Sequence, residues 1–218
     1  MRPRPYLSFS QMTTFEQSED RFLDQYVRGK KQWVSINMTY GSKMANGLET
    51  GEATGDPLLD LAMARVPKLG RMDLHVEDKK GFKFEWNRDG KVRTVWIPVL
   101  KNGGDDIPIL AIPDAAKPDY TAFKEDKTSV RPWTQKMVND SGQITFYSMA
   151  IWLAKGFIPK DIELIHVETE YSPDGKMRPT GNVYRIPTTR NMVDIIKMTT
   201  RAKEAWAGIK ALCERELL

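Results

Sequence analysis

A chain of 218 residues, 40% hydrophobic and 28% charged, carries enough apolar material for a buried core and lies in the ordinary globular range. One cysteine, Cys213, excludes an intrachain disulfide and a four-cysteine zinc or iron–sulfur site, and two histidines are too few for a histidine-based zinc site. The net charge of +4 leans weakly toward a polyanionic partner, and no apolar stretch approaches the roughly 20 residues that cross a bilayer.

In chain order, "MRPRPYLSFS" is basic and lacks the apolar run of a signal peptide, so a reducing, cytoplasmic setting is expected. "YLSFSQMTTFEQSEDRFLDQYVRG" reads as a helix pair. Ser8 followed by Gln11 has the form of a capping box, and Ser18 caps a second helix in which Phe22, Leu23, Tyr26 and Val27 recur at helical spacing before Gly29. A further helix is predicted from about Ser42 in "YGSKMANGLE". Another covers "DPLLDLAMARV", with Asp56 as N-cap, Pro57 at its first position and Pro67 as its stop. The period then changes. "RMDLHVED", "GFKFEW" and "KVRTVWIPVL" are β-rich, the last two joined by the hairpin signal "NRDG". "DDIPILAIPD" and "DYTAFKEDKT" supply two more strands. "QITFYSMAIWLAKG" is a helix closed by Gly156, and "DIELIHVETEY" and "NVYRIPTT" form a hairpin across "SPDGKMRPTG". The last segment, "NMVDIIKMTTRAKEAWAGIKALCEREL", is an amphipathic helix carrying Val193, Ile196, Trp206 and Ile209. This order predicts one α/β domain over residues 1–218 with a mixed sheet.

Within "FKEDKT", strand alternation puts Glu125 and Lys127 on one face and Asp126 on the other. Asp114, at the end of the neighbouring apolar run, can lie beside them. Two converging carboxylates repel, and a hard divalent cation, Mg²⁺ or Mn²⁺, relieves that repulsion. The Lys127 ammonium can orient a water, help deprotonate it, or stabilise charge on a phosphate. Such a set suits phosphodiester hydrolysis. The plainer alternative is a salt-bridged strand edge beside a turn aspartate. His75 and His166 read as strand residues with local hydrogen bonds, and Cys213 as a packing residue. Trp133, with Arg131 and Lys136 nearby, could stack on a base of a frayed strand, the alternative being a core or sheet-face residue like the other tryptophans. "RGKKQW" and "KMRPTGNVYR" mix cations with aromatic or turn residues, as do loops that follow a nucleic-acid backbone, or plain solvated loops.

Four stretches together resemble the PD-(D/E)xK nuclease superfamily, in its RecB-like and phage exonuclease-like branch. They are the N-terminal helix pair, "YGSKMANGLE" as the first motif, "ILAIPD" with "EDK" as the second and third, and "QITFY" as a Q-x-x-x-Y motif. The resemblance implies a restriction-endonuclease-like core, a central mixed β-sheet flanked by helices. It implies Asp114 and Glu125 as metal ligands and Lys127 as the catalytic lysine. Glu49 would be the first-motif acid, and Gln143 and Tyr147 would line the site. Three departures stand out. Ala45 occupies the place of the histidine that many relatives carry, so Glu49 would have to do that work. "SED" at Ser18 stands where a cluster cysteine would be, so an iron–sulfur cluster is absent. Lys124 and Asp126 put charges in a strand that is normally apolar, and a register shift of one would turn Asp126 to the metal in place of Glu125.

The expected activity is Mg²⁺- or Mn²⁺-dependent hydrolysis of DNA, as an exonuclease of recombination, repair or phage replication. DNA is the expected partner, with a single-strand annealing or other recombination protein and self-association in a homo-oligomer as further ones, and the expected setting is a bacterial or phage-infected cytoplasm. The alternatives are a catalytically inactive nuclease fold that binds DNA or protein, and a domain of unrelated fold.

Overall fold

The Ser8 hydroxyl accepts from the Gln11 amide at 3.3 Å, and the Gln11 side chain accepts from the Ser8 amide at 2.9 Å. This closes the expected capping box and starts α1 (Phe9–Gln17) directly after the two-residue strand β1 (Leu7–Ser8). The Ser18 hydroxyl caps α2 (Glu19–Phe22), which runs into a π-helical turn, Leu23–Val27. The structure, a computed structural model, describes residues 4–30, 36–66, 81–88, 91–173, 175 and 177–216. Trp33, Pro67, His75 and the strand expected over "RMDLHVED" lie outside the described residues.

Helix α3 (Ile36–Thr50) begins ahead of the predicted Ser42, so Gly41 sits inside it rather than before it. A Cβ at Gly41 would lie 3.6 Å from the Thr128 hydroxyl, an ordinary van der Waals contact that places α3 against β7. Helix α4 (Pro57–Arg65) starts as its sequence predicts, the Asp56 carboxylate accepting from the Leu58 and Leu59 amides at 3.1 and 3.2 Å.

The described strands fall into three hydrogen-bonded sheets. Strands β2 (Phe82–Arg88) and β3 (Lys91–Ile97) form the predicted antiparallel hairpin. In a second sheet β5 (Ile107–Leu110) pairs parallel with β1 and antiparallel with β4 (Val99–Leu100). The largest holds four strands in the order β6 (Ala115–Ala116), β7 (Ala122–Ser129), β8 (Asp161–Tyr171), β9 (Met177–Thr188). It is mixed: β7 and β8 run parallel, and both outer pairs are antiparallel. The parallel pair needs a crossover, which α5 (Gln135–Asn139) and α6 (Gly142–Lys155) provide. Gly156, at φ 80°, closes α6 in the left-handed conformation that a glycine adopts without strain.

Register fixes which side chains share a face. Phe123, Ile162 and Leu164 join the main core with Ile144, Phe146 and Ile151 of α6. On the other face Ile165 and Val167 pack with Met44 of α3 and with Leu59, Ala62 and Val66 at α4. The mixed sheet is thus covered on both faces by helices. The closing helix α7 (Met192–Glu216) buries Ile195, Met198, Ala202, Ile209, Leu212 and Cys213. The expected apolar side is therefore out of phase at its start, since Val193 and Ile196 are 57% and 58% exposed. Arg201 grips Glu16 at 2.7 and 2.6 Å, and Arg215 reaches Glu19 at 2.9 Å, fastening α7 to the first helices. The predicted hairpin loop is shorter than expected, because Met177 to Gly181 already belong to β9. Among the described residues no helix is long and apolar enough to cross a membrane.

Candidate active site

Strand β5 stops at Leu110, short of the predicted "DDIPILAIPD", and the chain bends through Asp114 into β6. Because Ala115 pairs with Lys124 in the antiparallel ladder, one step back along the chain brings Asp114 alongside Glu125. The Asp114 carboxylate accepts from the Asp126 amide at 2.8 Å, which holds it against β7.

Glu125 is 2% exposed and accepts from the Lys127 ammonium through Oε1 at 2.5 Å. Its Oε2 is buried with no hydrogen-bond partner. Burial, reinforced by the Asp114 charge and opposed by Lys127, pushes the Glu125 carboxyl up to about 8. Lys127 also donates to the Gln143 carbonyl at 2.9 Å, and the Gln143 amide donates to the Tyr147 hydroxyl at 2.9 Å. Gln143 stands in the first turn of α6, whose N-cap is Ser141, so the crossover helix delivers it to the strand. One bonded chain, Glu125–Lys127–Gln143–Tyr147, results. Lys127, a middle link bonded to both Glu125 and Gln143, reaches solvent, its side chain 30% exposed.

Asp126 belongs to the opposite face. Lys124 donates to its two oxygens at 3.0 and 2.9 Å, and both side chains are almost fully buried. Burial raises the Asp126 carboxyl while Lys124 opposes the rise. Lys124 occupies both oxygens of Asp126, whereas the register of β6 against β7 sets Glu125 alongside Asp114. The two charges that disturb an apolar strand pattern satisfy each other. Glu49 lies on α3, and its side chain is outside the described residues.

Two carboxylates share one spot, and one buried oxygen has no donor. Hard oxygen ligands of this kind fit a divalent cation such as Mg²⁺. Among the described residues no third His, Cys, Asp or Glu completes a cluster able to hold a metal ion.

Sequence reasoning overlooked a neighbouring group on the same face. Lys127 pairs in register with His166 of β8, and His166 with Tyr184 of β9. The signal was the two-residue period Glu125, Lys127, Ser129. His166 is a strand residue with local hydrogen bonds, its Nε2 lying 3.1 Å from the Ser129 hydroxyl and 3.0 Å from the Ser129 carbonyl. Trp133 is half-buried and packs against the main core.

No protein-family model matches the chain, and no curated protein matches it. Among solved structures it is similar to a crystal structure from Eubacterium rectale described as a "putative exonuclease". The two share a fold. The TM-score is 0.55 at 12% identity, over 97% of this chain and 82% of the other. A shared mixed α/β architecture is what this likeness shows.

Proposed function

We propose that the chain is a metal-dependent DNA nuclease that hydrolyses phosphodiester bonds, in the manner of an exonuclease of recombination, repair or phage replication. The observation that carries the reading is the Glu125 carboxylate, buried beside Asp114 with Oε2 unpartnered and Oε1 bonded to Lys127. A folded chain keeps a buried, unsatisfied acid at a cost, and such groups concentrate where chemistry is done. The fold of the Eubacterium rectale protein and the resemblance of four sequence stretches point the same way.

Asp114 and Glu125 would hold Mg²⁺ or Mn²⁺, with Glu49 as the third acid that the family resemblance supplies. When bound, the ion supplies a Lewis acid that polarises the phosphate and lowers the pKa of the attacking water. The water oxygen bonds to phosphorus as one bond from phosphorus to a sugar oxygen breaks, the water giving up a proton to solvent and the leaving oxygen taking one from solvent. Lys127, the part-exposed middle link of the bonded chain, donates to the phosphate as negative charge builds on it. Gln143 fixes the ammonium through its carbonyl, and Tyr147 fixes Gln143. Both are positioning residues.

Lys127→Ala tests this. The variant is expected to melt within a few degrees of wild type and to cleave linear DNA with Mg²⁺ at least about a hundredfold more slowly. Undiminished cleavage in that variant overturns the site. Cleavage of linear but not circular DNA by the wild type identifies an exonuclease.

A further inference from the structure

We propose that Tyr184 is a stacking platform for an unpaired nucleobase of the strand presented to Lys127. This rests on the nuclease reading above and names the form of DNA that the site takes.

The registers Lys127↔His166 and His166↔Tyr184 put the three side chains in one row across β7, β8 and β9. Neighbouring strands lie about 4.8 Å apart, so Tyr184 stands roughly 10 Å from Lys127 along that row. This distance suits a nucleotide next to the one whose phosphate is at Lys127. The platform is built rather than incidental. Its lower ring face stacks on His166, with centroids 5.8 Å apart and planes at 24°. His166 is 1% exposed and locked by Ser129. On the next residues of the same sheet face the Glu168 carboxylate accepts from Thr180 and Asn182 at 2.8 Å each.

The ring is therefore held at one face, yet it remains 46% exposed. A large apolar ring, fixed and facing water, gains little from burial, but it has already lost the freedom that ligand binding would otherwise remove. Every base has a π-face, so such a ring accepts any sequence. Bases inside a duplex are already stacked on one another. The platform therefore serves a frayed or single-stranded end, which is what a strand entering the row Glu125, Lys127, Ser129 would offer.

The test measures binding of a blunt duplex and of the same duplex with a single-stranded overhang, using fluorescence anisotropy with Ca²⁺ in place of Mg²⁺. Tyr184→Leu still covers His166 but has no π-face. It is expected to weaken overhang binding about tenfold and to leave blunt-duplex binding unchanged. Tyr184→Phe and Tyr184→Trp are expected to stay close to wild type, which separates stacking from the hydroxyl and from bulk. Overhang binding by Tyr184→Leu equal to wild type overturns the platform, as does loss in Tyr184→Trp of the same size as in Tyr184→Leu. If Tyr184→Leu melts early, the Trp variant decides alone. Wild-type protein that binds neither DNA overturns the nuclease reading itself; wild-type binding with an inert Tyr184 overturns only the platform.

Discussion

Glu125 holds its proton more tightly in the folded chain than out of it, and the sign of the consequence follows. Its carboxyl rises from 4.5 to about 8, first through burial and then through Asp114. Between those values the folded state carries a proton that the unfolded state has lost, so metal-free stability falls as pH rises through that window. The melting temperature without metal is expected to be higher near pH 5 than near pH 8, and Glu125→Gln should flatten the slope. Mg²⁺ is expected to raise the melting temperature of the wild type most at the alkaline end, where the site is an anion. A pH-independent melting curve would remove Glu125 as the buried acid. Lys124 makes the complementary case. Its loss strands the Asp126 carboxylate in the interior, and Lys124→Met should cost about 3–5 kcal/mol by urea denaturation, with most of it regained in Lys124→Met/Asp126→Met.

At the scale of elements, the start of α6 carries the site and hangs on one arginine. Arg190 is 8% exposed and donates to Thr145, Thr188, the Thr189 carbonyl, and the Val138 and Ser141 carbonyls. It ties the α5–α6 junction to the end of β9, next to the helix that presents Gln143. A lysine has three donors from one point and cannot span these acceptors. Arg190→Lys should lose about 2–3 kcal/mol in urea unfolding and slow DNA cleavage as Gln143 loosens its hold on Lys127. Unchanged stability would show that the fork is dispensable. Elements governed by local chemistry were legible in the chain: the Ser8 capping box, the Asp56–Pro57 helix start, the Gly156 terminus and the two-residue period of β7. The onset of α7 was not. Val193 and Ile196 are apolar where the helix meets water, so hydrophobic spacing alone chose the wrong phase.

For the whole molecule, pairings between distant segments were the illegible part. Nothing local in Leu7 says that it will lie beside Ile109, and β6 is too short, at two residues, to leave a periodic signal. Yet β6 is what sets Asp114 alongside Glu125. The carboxylate pairing was foreseeable as a possibility of spacing, while its cause, a short antiparallel step, was visible only in three dimensions. The aromatic row across β7, β8 and β9 escaped for the same reason, since register between strands decides it.

Strand β9 is the outermost member of its sheet, and it contains Pro179 and Pro187. A proline offers no amide to a visiting strand. Gly181, at φ 83°, and the slipped register between Val167 and Thr169 further break the straight run of the rim. The β9 rim therefore offers a visiting strand no continuous seam to zip onto, and this sheet stays finite along that border.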